Sequence, residues 1–390
     1  MEELVMSGWS VASPFGLGVE PFVAGIGAGR RPASTPDSGP FEQACVIPDF
    51  DIPAVLGSKG TRAMDRATGI AVAGVGMLLD EYGGRVAEHP ERVGLVLGTG
   101  SGSIQSIIDF TRESMAGEKP YYVDPARFPN TVMNRAAGQS AIWHGLKGPN
   151  ATVAGGAATG LLALNYAARL LRRGRCETIL CGAVEEFSEH RGWLAWHSGH
   201  RTEPLGEGCA IFLLESRKSA ALAGRVPLAT VLGSRFAAFG DAGEAGRTLS
   251  GCVTGLLAGL GLAAADVRLV ATSETPGELG EQENAGVTDA VGTGAVRLRC
   301  REVLGDMAAA AAAFQLATVL AAGRAAPAEE TVLAGRAAAR RATPTGGAAP
   351  GGPGASAGPG GSLAGALALV TAVDRDGVAG CTALRLEARP

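Results

Sequence analysis

The sequence has no Cys-x-x-Cys pair, no long run of large apolar residues and no surplus of basic charge, and each absence removes a class of protein. Its seven cysteines (Cys45, Cys176, Cys181, Cys209, Cys252, Cys300 and Cys381) are odd in number and scattered. That pattern argues against a disulfide framework and against a zinc site, and leaves them as small buried hydrophobes. A formal net charge of −4 with 18% charged residues gives no electrostatic pull toward nucleic acid. The most apolar stretch, 307–322, is dominated by alanine and interrupted by Gln315, so it fits a tightly packed buried helix better than a membrane span. The opening residues carry Glu2 and Glu3 where a signal peptide needs basic ones; a cytoplasmic protein with no membrane role is the expectation. No motif calls for a cofactor or a metal.

What remains is a chain of 390 residues with 46% hydrophobic content, long enough for several packed layers around a large core. Short apolar runs alternate with helical patterns. The run 93–98, entered from Glu91 and Arg92, predicts a buried strand, and 156–172 a helix that begins in small residues. The same grammar starts again near Pro227, with strands expected at 228–233, 267–271 and 366–370 and a helix around 249–260. Alternation of this kind implies an α/β fold in two similar halves. The segment 346–361 is Gly/Pro/Ala low complexity, which predicts a surface loop rather than a core element.

One stretch is more specific. Phe128-Pro129-Asn130-Thr131-Val132-Met133-Asn134 is followed by Ala137-Gly138-Gln139 and then by Gly145-Leu146-Lys147-Gly148-Pro149-Asn150-Ala151-Thr152-Val153. With Gly98-Thr99-Gly100-Ser101-Gly102-Ser103, a helix over 65–81, Gly182-Ala183-Val184-Glu185-Glu186 and Gly206-Glu207-Gly208-Cys209-Ala210, this resembles the β-ketoacyl synthase family. The resemblance is close over the N-terminal half and weaker beyond it. It implies a thiolase-like fold of two duplicated halves, 1–220 and 221–390, in α-β-α-β-α layers, working as a dimer.

The family's chemistry needs a cysteine at the N-terminus of a buried helix, where the dipole and backbone N–H groups depress the thiol pKa and receive the thioester oxyanion. Two histidines assist decarboxylation of the malonyl unit. By the resemblance, the family's Cys-Ala-Thr-Gly falls on Ala157-Ala158-Thr159-Gly160, its first histidine on Ala271, and its Lys-Ser-x-x-Gly-His on the stretch from Arg301 to Asp306. Arg301 thus takes the lysine position and Asp306 the second histidine position. With Ala157, Ala271 and Asp306 there, no nucleophile and no imidazole is left for condensation. The five histidines, His89, His144, His190, His197 and His200, read as surface or structural residues away from both histidine motifs.

A silent member of this family implies a chain length factor: a subunit that heterodimerises with an active ketosynthase and shapes the tunnel for a chain carried on the phosphopantetheine of acyl carrier protein. The resemblance assigns tunnel positions to Ile104, Ile107 and Thr111, with Ile108 and Phe110 beside them and Trp193 further on. A bulky side chain at a tunnel floor opposes each extra methylene by on the order of 1–3 kcal/mol, enough to stop elongation. The family's Gly-Phe-Gly-Gly gate is assigned to Gly358, Pro359, Gly360 and Gly361. Ala157 stands where aromatic-type factors carry glutamine, which points to a reducing or polyene-forming system. The cluster Arg169, Arg172, Arg173 and Arg175 is a weaker candidate for carrier docking, since basic residues at a helix end also cap it. Two rivals remain: an acyltransferase or decarboxylase using Thr159, Asp306 or Glu274 in place of the missing groups, and a free-standing acyl-binding protein.

Overall fold

The computed structural model describes residues 2–36, 39–83, 88–201, 203–324 and 363–388. Its strands are β1 (Leu4–Ser13), β2 (Gly16–Leu17), β3 (Ala44–Cys45), β4 (Val93–Gly98), β5 (Asn150–Val153), β6 (Thr178–Glu185), β7 (Leu205–Gly206), β8 (Gly208–Ser216), β9 (Ala229–Ala238), β10 (Val267–Ala271), β11 (Val296–Leu298), β12 (Leu367–Val373) and β13 (Val378–Leu386). Strands β1, β8, β6, β4 and β5 lie side by side in that order, and β9, β13, β12, β10 and β11 repeat it. The directions repeat too. In each set the first three strands pair antiparallel, and the last three pair parallel. The sets meet where Leu4, Val5 and Met6 pair antiparallel with Val231, Thr230 and Ala229.

Three apolar cores separate the layers. The central one holds the helices Thr159–Arg172 and Ala311–Arg324 between the two strand sets. One outer core packs the helices Arg66–Tyr82 and Arg135–His144 on the first set, and the other packs Ala245–Leu260 and Glu278–Val291 on the second. This is the α-β-α-β-α layering of a thiolase-like fold. Because helices cover both faces, β4 is buried at every residue and reads as an unbroken apolar run. Alternation decides which core each side chain joins: Phe212 of β8 enters the central core, and Ile211 and Leu213 the outer one.

The alanine-rich stretch near 307–322 is the buried helix its composition predicts, with Ala312 through Ala322 all shielded from solvent. Small residues matter because the two central helices cross at backbone contact. A Cβ on Gly160 would lie 2.4 Å from the Ala313 nitrogen. Among the described residues no helix is long and apolar enough to cross a membrane. All seven cysteines are buried and unpaired.

Candidate functional site

The central helix Thr159–Arg172 begins in one tight turn, Gly156–Ala158, which makes Ala157 part of its N-terminus. Gly156 has φ +53, a backbone that favours glycine, and a Cβ there would stand 2.1 Å from the Asp374 carboxylate. Thr159 is buried; its hydroxyl donates to the Gly156 carbonyl (2.7 Å) and accepts from the Gly155 N–H (2.9 Å). A hydroxyl committed on both sides is not poised as a nucleophile. The Ala157 N–H donates to Asp374 Oδ2 at 2.7 Å. Asp374 opens the turn between β12 and β13, where its Oδ1 accepts the Asp376 N–H (2.9 Å). A carboxylate on the positive end of a helix is favoured electrostatically.

The remaining positions gather around Asp306. Arg301 reaches its carboxylate at 3.0 Å and also binds Glu203 at 2.8 Å. The Ala308 N–H donates to Asp306 Oδ1 (2.8 Å), and the Arg191 guanidinium donates to the Asp306 carbonyl (2.9 Å). Burial alone would raise the Asp306 pKa, but Arg301 and Arg191 outweigh it and hold the carboxyl below the usual range. Ala271 is buried at the end of β10, between Leu298 and Val370.

His200 corrects an expectation. It does not lie away from the histidine motifs: its Nδ1 is 3.8 Å from Asp306 Oδ2 and accepts from Arg375 at 3.2 Å. The backbone explains it, since the Gly206 N–H donates to the Asp306 carbonyl and the Asp306 N–H to the Pro204 carbonyl, drawing the segment before β7 onto Asp306. Burial, then Arg375, push the His200 pKa down, so the ring is neutral at pH 7. His190 and His144 are structural: one binds Asp109 (3.3 Å), the other the Val72 carbonyl (2.9 Å).

Glu274 adopts φ +51 and Ala308 φ +42, both rare for residues with a Cβ, so two strained residues flank this cluster. Glu274 Oε2 accepts the Arg301 N–H at 2.7 Å, and burial pushes its pKa up to about 7. The neighbouring thiols are inert: burial raises Cys45 to about 11 and drives Cys300 higher still. Among the described residues no group of His, Cys, Asp and Glu could hold a metal ion.

The helix Ile104–Ala116 carries the assigned tunnel positions. Ser103 caps it, accepting the Ser106 N–H (3.2 Å) and donating to Glu186 (3.0 Å). Ile104, Ile107, Ile108 and Phe110 are half-buried, whereas Thr111 is exposed and donates to the Ile107 carbonyl (2.7 Å). This helix packs on Glu189–His197, which carries Trp193, 41% exposed and stacked on His197. The positions Gly358, Pro359, Gly360 and Gly361 lie outside the described residues. Among the described residues, the turn at Asp374 meets Ala157. Arg169, Arg172, Arg173 and Arg175 are exposed at the far end of the central helix and just beyond it.

Layering, duplication and a glycine elbow opening onto a central helix define a thiolase-type fold. Residues 38–220 match the family described as "Beta-ketoacyl synthase, N-terminal domain". The solved structure titled "The ishigamide ketosynthase/chain length factor" is 36% identical and superposes with a TM-score of 0.81, covering 99% of this chain and 100% of that one. The ketoacyl synthase alpha subunit of the Streptomyces glaucescens tetracenomycin polyketide synthase is 29% identical over 60% of this chain and 62% of its own. The 3-oxoacyl-[acyl-carrier-protein] synthase 2 of Vibrio harveyi is 27% identical over 52% of each, so the chain spans about half the length of that relative. The chain belongs to the β-ketoacyl synthase family.

Proposed function

We propose that this chain is a chain length factor: a non-catalytic subunit of a type II polyketide synthase that pairs with an active ketosynthase and forms one wall of the tunnel. The partner carries out the decarboxylative Claisen condensation of malonyl units on acyl carrier protein. One observation carries the proposal. Where the family places its nucleophile this chain has the methyl group of Ala157, whose N–H is already bonded to the chain's own Asp374. Similarity to a ketosynthase/chain length factor along the whole chain supports it. The repeated strand order supports a division into halves at about residue 220. Alanine rather than glutamine at 157 favours a reducing or polyene-forming system over an aromatic one.

A self-sufficient decarboxylase is the second reading, favoured by Glu274, whose pKa near 7 suits a general base. Coexpression with a ketosynthase, followed by condensation assays on each subunit and on the pair, separates the two. The expected result is elongation by the pair only, abolished when the partner's cysteine is replaced. Turnover of malonyl carrier by this chain alone would establish the second reading instead.

A further inference from the structure

Three of the peptide N–H groups at the mouth of the central helix are engaged within the chain. Gly155 donates to the Thr159 hydroxyl, Ala158 to the Gly155 carbonyl (3.2 Å), and Ala157 to Asp374. The first two bonds belong to the turn itself, so of these three the Ala157 N–H, on the residue at the nucleophile position, is the one that could serve a ligand, and a charged group occupies it. We infer that Asp374 is an internal anion lock: its carboxylate sits where an acyl oxygen would be received and closes the site to thioesters independently of the lost nucleophile. The contact stands on geometry alone; its meaning for acyl groups rests on the function proposed above.

The lock is built into the fold. The Asp374 N–H donates to the Val378 carbonyl (2.9 Å) and the Gly377 N–H to the Asp374 carbonyl (3.1 Å), which fixes the turn. Gly377, at φ +83, permits that turn, and a Cβ there would stand 2.4 Å from the Phe239 carbonyl oxygen. The next side chain, Arg375, reaches His200, so the turn is held on two sides of the site. Gly156 completes the fit, because any side chain there would occupy the carboxylate's place. A developing oxyanion would have to displace a like charge that the helix dipole already favours.

The test restores a thiol. In Ala157→Cys the sulfur hangs from the residue whose N–H holds the carboxylate, and the pH dependence of its alkylation by iodoacetamide, read by mass spectrometry on the peptide containing residue 157, gives its pKa. An unlocked cysteine at a helix N-terminus titrates between about 3.5 and 7.5. Beside Asp374 the thiol is expected at or above its ordinary value of about 8.5. Adding Asp374→Asn is expected to lower it by at least about one unit, which is about tenfold faster alkylation at neutral pH. A thiol titrating below about 7.5 in the single variant overturns the lock. So does a value that neither Asp374→Asn nor Asp374→Ala moves. Elongation by the pair is a separate readout, so failure of the lock and failure of the proposed function are told apart.

Discussion

Glu186 ties two helix starts to the end of β6. It accepts from the Ala67 N–H (3.1 Å) at the head of Arg66–Tyr82, and from the Ser103 hydroxyl and the Gln105 N–H (3.4 Å) at the head of Ile104–Ala116. Burial, then the negative charge of Asp65, push its pKa up to about 7 from an ordinary 4.5. The folded state therefore holds this proton more tightly than the unfolded chain does. The resulting stability is fully present below pH 4.5 and is lost as the pH rises through about 7. Glu186→Gln is expected to flatten the stability profile across that window by on the order of 3 kcal/mol at most. Urea midpoints measured at both ends for the two proteins would show it, and parallel profiles would refute it. Glu274 titrates in the same window, so part of the slope should persist. The proposed tunnel positions have a test of their own. Ile107→Ala and Trp193→Ala in the reconstituted pair are expected to lengthen the product, because truncating a wall leaves room for further methylenes. Unchanged product length in both would remove the assignment.

Helix contacts in this fold depend on where glycine is used. Gly160 lets the central helices touch, so Gly160→Ala, meeting the unyielding Ala313 backbone at 2.4 Å, is expected to cost about 1–3 kcal/mol. In the outer helix Ala245–Leu260, Gly259 is exposed with nothing within 4 Å of an added Cβ. There the same change is expected to stabilise by about 0.5–1 kcal/mol through helix propensity and a less flexible unfolded chain. Thermal unfolding of the two variants should shift in opposite directions, and like shifts would mean that backbone contact does not govern the crossing. Elements built on local pattern were legible in the sequence, as β4, β10 and the helix Ala245–Leu260 show. Those set by a distant partner were not: β9 runs on past residue 233 to Ala238 because β13 continues the ladder as far as Val378. The site divides in the same way. The glycine elbow has a local signature, whereas the bond from Ala157 to Asp374 spans 217 positions and His200 reaches Asp306 through a backbone bridge. The Asp376-Gly377 dipeptide between two apolar runs was the one available hint of a hairpin there.

Among the described residues the sheet ends in two edge strands, β11 in the second set and β5 in the first. Strand β5 ends the sheet, paired on one side with β4, and an unpaired edge is a place for another chain to add. Many of the large hydrophobic side chains that the described residues expose come from the helix Ile104–Ala116, the segment after it and the helix packed on it: Met115, Tyr121, Tyr122, Phe128, Val132 and Met133, then Trp193 and Leu194. Some of them touch one another. Phe128 packs on Phe110 at 6.0 Å, Tyr121 on Tyr122 at 5.1 Å, and the Ser114 hydroxyl holds the Pro120 carbonyl at 2.8 Å. A cluster of large exposed apolar side chains is a place where a partner can dock. The helix Ile104–Ala116, to which the proposed tunnel positions belong, adjoins this face, so under the proposed function a subunit seated there would meet those positions from the other side. Met115→Asp with Tyr121→Asp is expected to weaken the pair at least about tenfold, equivalent to about 1.4 kcal/mol, while far-ultraviolet circular dichroism stays unchanged. Leu222→Asp, at an exposed residue on the short helix Arg217–Leu222, is the control and should leave the pair intact. If size exclusion and calorimetry find the double variant binding like the control, the partner docks elsewhere, and the tunnel positions on Ile104–Ala116 lose their place at a subunit boundary.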